Sequence, residues 1–371
     1  FGRMSCLATE LFFLPPKLAK ASYILRARPI IIGEAKLEPR GQSLVRPVVG
    51  LFVGIAVVIL VMPAIIVGSW KSPAIDPPVP SSDITLQLYV SSSKQLVKIG
   101  LEDYVRGVVA AEMPASFHPA ALRAQAVAAR TYAVKRIRSL GGRGCDAHPQ
   151  ADLCDNPAHC QAWVPVSQLQ QKWGMLEYQN YWTKISEAVA MTAREIITYQ
   201  GIIIDPVFHS TCGGQTEDAG AVWQQSVPYL VPVKCSYCQH SPKLQTEQRY
   251  SLTAFVGAMR ELDGAITVTA QSLRTTSPNL TIAEKTATGR VSSISIGGRN
   301  IKATTLRSAL GLNSTRFVHK IEGDQIVFTV QGYGHGVGLC QYGADGMGQA
   351  GYDYRAILQY YYQGTQITEI R

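Results

Sequence analysis

The sequence predicts an α+β domain in which helices pack against antiparallel hairpins, behind one N-terminal transmembrane helix. Three observations carry this. Strand-like runs come in hairpins rather than alternating with helices, two apolar-periodic helices lie between them, and one uncharged stretch has bilayer length.

The uncharged stretch comes first. Val48 to Trp70 carries no charged residue, which is long enough to cross a bilayer despite Pro63 and too long and too internal for an ordinary signal peptide. Lys36, Arg40 and Arg46 precede it and only Lys71 follows closely, so the positive-inside rule places residues 1–47 in the cytoplasm and the rest outside. Pro73, Pro77, Pro78 and Pro80 with Ser81 and Ser82 read as a stiff, extended linker. The expected organisation is a cytoplasmic tail (1–47), a transmembrane signal anchor (48–70), a Pro/Ser linker (71–82) and a single exported domain (83–371).

With 371 residues, 46% hydrophobic and 16% charged, the chain has the composition of a folded protein with a sizeable core. Residues 1–82 hold nine Lys/Arg and four Asp/Glu, so only +4 of the formal +9 belongs to the exported part. That mild surplus suits an anionic polymer. No basic run or aromatic-interleaved repeat argues for nucleic acid.

LQLYV and KQLVKIG read as short strands, and LEDYVRGVVAAEMP as the helix after them. Tyr104, Val105, Val108 and Val109 form its apolar stripe, Glu112 continues that stripe, and Glu102, Asp103 and Arg106 fall on the polar face. A glutamate on a core face needs a reason. Pro114 ends the helix beside it, and the negative end of the helix dipole together with burial opposes ionisation, as a general acid requires. Capping a neighbour is the competing role for such a residue. Pro119 then opens a long Ala-rich helix running through ALRAQAVAARTYAVKRIRSL, and EIITYQGIIID and RVSSISIGGRNIKATT read as hairpins turning at Gln200–Gly201 and Gly297–Gly298.

Two cysteine constellations follow. His148, Cys154, His159 and Cys160 are four soft or borderline ligands within thirteen residues, enough for a closed, structural zinc site; a Cys154–Cys160 disulfide is the alternative, but it leaves both histidines unexplained. Cys212, Cys235, Cys238 and Cys340 form either a second four-thiolate site or two disulfides. Cys145 and Cys6 have no partner in this scheme. Three polar segments read as site walls: FHSTCGGQTE with His209 and Ser210, QGYGHGVGLCQYGADG with His335 and Gln341, and the stretch of the Ala-rich helix holding Gln125, Arg130 and Tyr132.

LEDYVRGVVAAEMPASFHPAALRAQAVAARTYA, FHSTCGGQTEDAGAVW, LRSALGLNSTRF and GYGHGVGLCQYGADGMGQAGYDYRAILQYYYQGT together resemble the stage II sporulation protein D family, which includes the amidase enhancer, across nearly all of residues 83–371. The resemblance implies a peptidoglycan lytic transglycosylase that cleaves glycan strands between N-acetylmuramic acid and N-acetylglucosamine, with its catalytic glutamate in the AAEMP motif at Glu112. It implies zinc on His148, Cys154, His159 and Cys160. The expected location is the bacterial cytoplasmic membrane, crossed once through 48–70 with the C-terminal domain outside. The chain departs from the familiar pattern at Cys212 and Cys340, where many members have serine, and the CSYC pair accompanies that change. A rival reading is a non-catalytic module that binds peptidoglycan and stimulates an N-acetylmuramoyl-L-alanine amidase. A metal-dependent hydrolase is disfavoured, because a four-ligand site has no open position.

Overall fold

The computed structural model describes residues 84–275 and 279–370. The expected tail, anchor and linker lie outside the described residues. Among the described residues no helix is long and apolar enough to cross a membrane.

β1 (Thr85–Val90) and β2 (Gln95–Gly100) pair antiparallel, Thr85 opposite Gly100, and the chain runs directly into α1 (Leu101–Glu112). The apolar stripe of α1 is fully buried at Tyr104, Val105, Val108 and Val109, as its periodicity predicts. Its supposed polar face is a partial exception. Glu102 and Arg106 are buried, because α1 is covered on that side too by helices packed around it.

Pro119 sits at the first turn of α2 (Pro119–Val134), where its missing N–H costs nothing, and the ring of His118 accepts the Ala120 N–H at 3.2 Å. Small side chains let α1, a long helical segment α3 (Val166–Ala190), α8 (Gln341–Gln349) and α9 (Tyr354–Tyr361) all pack against α2. The helix is shorter than the sequence suggests. Rather than reaching Leu140 it stops at Val134, since the carbonyls of Arg136 and Ile137 accept from Gly144 and Gly142 as the chain doubles back. α3 is broken at Gly174, whose φ of 77° only glycine adopts readily.

Gly107 is where α1 meets the 162–164 loop. A Cβ there would lie 2.2 Å from Trp163 Nε1 and 2.8 Å from the Val164 carbonyl. Gly107→Ala is therefore expected to destabilise the domain by about 1–3 kcal/mol, read as a lower denaturant midpoint at unchanged slope.

Both predicted glycine hairpins form. β4 (Glu195–Tyr199) and β5 (Ile202–Ile203) turn through Gln200 and Gly201 at φ 50° and 80°, and β9 (Val291–Ile296) and β10 (Arg299–Lys302) turn through Gly297 and Gly298 at 58° and 79°. Two successive positive φ values match the right-handed twist of the strands. β14 (Gln366–Glu369) closes the β4 sheet, antiparallel to β4. The antiparallel expectation has two small exceptions: β3 (Leu153–Cys154) runs parallel to β1, and β6 (Phe208–His209) runs parallel to β13 (Leu339–Cys340).

The described residues divide their interior between two cores. The larger surrounds α2 and includes Val109, Ala126, Ile197, Leu339 and Tyr361; the smaller draws on residues between Leu252 and Val330. In the smaller, α5 (Leu252–Leu262) packs on an antiparallel sheet of β11 (Phe317–Glu322), β12 (Gln325–Gln331) and β7 (Gln245–Ser251), and α7 (Ala303–Leu310) packs on α5 and on β9 and β10. A second sheet, β8 (Leu280–Lys285) with β9 and β10, completes it.

Candidate active site

Glu112 is the last residue of α1, and its side chain lines a cleft of about 760 Å³. Its Oε1 accepts the Ala162 N–H at 2.8 Å. Burial raises its pKa, and that hydrogen bond and the Lys172 ammonium pull it back only in part. The sequence expects a raised pKa from the helix end and from burial; desolvation is the leading cause. Lys172 reaches in from α3, donates to the Ala110 carbonyl at 2.6 Å, and has its own pKa lowered by burial.

The sign of that interaction gives a test. Lys172 favours the carboxylate, so Lys172→Met is expected to raise the Glu112 pKa further. A general acid works while protonated, so the alkaline limb of the pH–rate profile should move to higher pH in the variant.

The other walls come from segments distant in sequence. The parallel pairing of β6 with β13, Cys340 opposite His209, brings two of the predicted wall segments together, so that His209, Ser210, His335 and Gln341 all line the cleft. His209 Nδ1 donates to the Val337 carbonyl at 3.0 Å and burial holds its pKa well down; its Nε2 has no partner among the described groups. His335 accepts the Val337 N–H on Nδ1 at 3.0 Å, and burial brings its pKa to about 4. Both rings are therefore neutral at pH 7 and available for hydrogen bonding, not as cationic acids. Tyr132 lines the cleft with the Arg136 guanidinium 3.5 Å from its ring centre.

Gln125 and Arg130 do not line it. Gln125 is fully buried one layer back, accepting from Gln341 Nε2 at 3.3 Å. Arg130 is also fully buried, with Nε at 2.8 Å and Nη2 at 2.6 Å from the Glu102 carboxylate and further bonds to the carbonyls of Val189 and Glu195. The reason is the central position of α2, which other elements cover at those two positions. Sequence reasoning also missed lining residues: Lys172, Trp173, Gln161 and Tyr342. Only Trp173, an aromatic beside Gly174 in a polar helix, carried a signal.

Glu112 is the one carboxylate among the described residues lining the cleft. Glu217 is buried elsewhere, accepting from Thr286 and Thr288 hydroxyls at 2.7 and 2.6 Å, and Asp218 caps α4 (Ala219–Trp223).

At the edge of the cleft, His148, Cys154 and His159 bring their ligand atoms within 4.8 Å of one another, and so do Cys145, Cys154 and Cys160. The two triads share Cys154, and the Cys160 thiol lies 3.7 Å from that of Cys145. Cys145, which the sequence left unpartnered, is part of this cluster. Asp152 anchors the loop by accepting from the backbone of Gln87 and Arg138 at 2.7 and 3.0 Å. A second cluster, Cys212, Cys235, Cys238 and Cys340, lies entirely in the interior.

Comparison with known proteins bears on the whole assembly. Residues 89–199 match the family model described as stage II sporulation protein, a span that contains Glu112 and the histidine–cysteine cluster. The chain is 37% identical to stage II sporulation protein D of Bacillus subtilis (strain 168), over 78% of this chain and 80% of the relative. It is 34% identical to the protein of that name from Bacillus amyloliquefaciens, over 87% of this chain and 96% of the relative. The amidase enhancer of Bacillus subtilis (strain 168) is 26% identical over 71% of this chain, but only 40% of that relative is covered. With over 30% identity sustained along most of two such relatives, the chain belongs to the stage II sporulation protein D family.

Proposed function

We propose that the chain is a membrane-anchored peptidoglycan lytic transglycosylase in which Glu112 serves alone as acid and base. The observation that carries this is a cleft whose lining holds a single carboxylate, with a pKa raised by burial. Ordinary glycosidases need a second carboxylate as nucleophile or base. A lytic transglycosylase replaces that second group with the substrate's own hydroxyl.

Protonated Glu112 gives its proton to the glycosidic oxygen as the bond to C1 of the muramic sugar breaks. The resulting carboxylate takes the proton of the C6 hydroxyl as that oxygen attacks C1, which closes a 1,6-anhydro ring and regenerates the acid. The attack is intramolecular, so no bound water has to be positioned. Trp173, Tyr132 and Tyr342 offer aromatic faces to sugar rings, and neutral His209 and Gln341 offer hydrogen bonds to hydroxyls.

His148, Cys154, His159 and Cys160 are the residues that would hold zinc, a soft and borderline donor set in which three ligand atoms already converge. Bound there, the ion would cross-link the loop that carries Gln161 and the Ala162 N–H.

The name of the amidase-enhancer relative motivates the competing role, binding peptidoglycan to stimulate an amidase. Incubating the full chain with intact and with amidase-stripped peptidoglycan and analysing soluble fragments by mass spectrometry separates the two. Anhydro-muramic ends are expected; wall binding without any glycan cleavage would assign the stimulating role instead.

A further inference from the structure

We propose that Cys212, Cys235, Cys238 and Cys340 form a second metal site, a closed tetrahedral tetrathiolate for a zinc-class ion, separate from the His148 cluster. All four residues are fully buried, and their Sγ atoms lie within 4.8 Å of one another. A zinc–thiolate bond of about 2.3 Å implies a sulfur–sulfur edge of roughly 3.8 Å in a tetrahedron. Cys212 and Cys238 stand 3.6 Å apart.

Two disulfides would sort the thiols into two pairs, and the geometry does not sort them. Every pair of the four sulfurs lies within 4.8 Å, so each thiol faces all three others. The surroundings suit thiolates. The N–H groups of Cys212 and Gly343 both donate to Cys340 Sγ at 3.3 Å, and the Tyr361 hydroxyl lies 3.2 Å from Cys235 Sγ. Gly343 keeps the space open, since a Cβ there would come within 2.7 Å of Cys235 Sγ. Four thiolates around a divalent cation leave a net charge of about −2. The buried Arg290 guanidinium, bonded to the Cys212 carbonyl at 2.8 Å, is a counter-charge next to it.

The site ties the two cleft walls together. Cys340 precedes Gln341 and opens α8, Cys212 follows Ser210 by two positions, and Cys235, whose N–H donates to the Gly214 carbonyl at 2.9 Å, begins the turn that carries Cys238. The ion would hold these three segments from behind, touching no substrate.

The test uses the full chain, purified anaerobically in detergent. Cys154→Ser/Cys160→Ser is expected to retain one zinc per chain by elemental analysis. After exchange it should show the ligand-field and sulfur-to-metal absorption of tetrathiolate cobalt(II). Cys235→Ser/Cys238→Ser should lose that signature. Disulfide links among these four cysteines, mapped by alkylation and mass spectrometry of the unreduced wild type, would overturn the proposal, as would a Cys154→Ser/Cys160→Ser protein that folds by circular dichroism yet holds no ion. Should either variant fail to fold, metal content and cysteine mapping of the wild type decide: more than one ion per chain with all four thiols free supports the site, and one ion or fewer rejects it.

Discussion

Replacing Glu112 with glutamine is expected to lower glycan cleavage by about 10²–10⁴-fold while peptidoglycan binding is kept, because the amide has nearly the same shape and cannot give up a proton in the same way. The Ala162 N–H can still donate to the amide oxygen, so the hydrogen bond seen at Oε1 survives. Stability should move the other way. Glu112 has a higher pKa folded than unfolded, so its contribution favours the fold at low pH and is lost as pH rises from the unfolded to the folded value. At pH 7 its ionisation therefore works against the native state, and glutamine removes that penalty. A thermal midpoint equal to or above wild type, paired with lost turnover, identifies a functional carboxyl; a lowered midpoint would mark Glu112 as structural.

The largest stability effect is expected at Arg130. Its guanidinium and the Glu102 carboxylate are both buried, and Arg130→Met leaves that carboxylate without its partner. Breaking one side of a buried pair costs about 3–5 kcal/mol, whereas replacing both sides by apolar groups of similar volume is often neutral or better. Urea unfolding should show a severe loss in the single variant and substantial recovery in Glu102→Leu/Arg130→Met. A substrate-binding Arg130 would behave differently, raising KM with little change in the unfolding midpoint.

The contrast between Glu112 and Arg130 shows where the sequence is legible. Glu112 stands out because it breaks an apolar stripe of known period, and Pro114 fixes where that stripe ends. The glycine hairpins are legible for a similar local reason, since Gln200–Gly201 and Gly297–Gly298 can take two positive φ values in succession. In the Ala-rich helix, by contrast, small residues all round remove any signal of which face meets solvent. Gln125 and Arg130 accordingly read as accessible although both are fully buried. Lys172 lies in SQLQQKWGM, where no apolar period points anywhere, and it enters the cleft through tertiary packing alone.

The same limit applies to the cores and the cysteines. β7 pairs with β12 across some seventy residues, Ser251 opposite Gln325, and that long-range register separates the smaller core from the larger. His148, Cys154, His159 and Cys160 are close in sequence and so visible as a set. Cys145 joins them only because the chain folds back after α2, placing its N–H on the Ala151 carbonyl at 3.1 Å. The Cys212 set spans well over a hundred residues of sequence and is assembled chiefly by the β6–β13 pairing.

The claim that one carboxyl group and the substrate's own hydroxyl suffice is tested most directly by digesting peptidoglycan in water enriched in heavy oxygen. If Glu112 acts alone as proposed, the new ends are 1,6-anhydro-muramic and carry no label, because no water molecule enters the product. Reducing ends that carry heavy oxygen would show that water is the nucleophile, and would require a second catalytic group that the lining of this cleft does not supply.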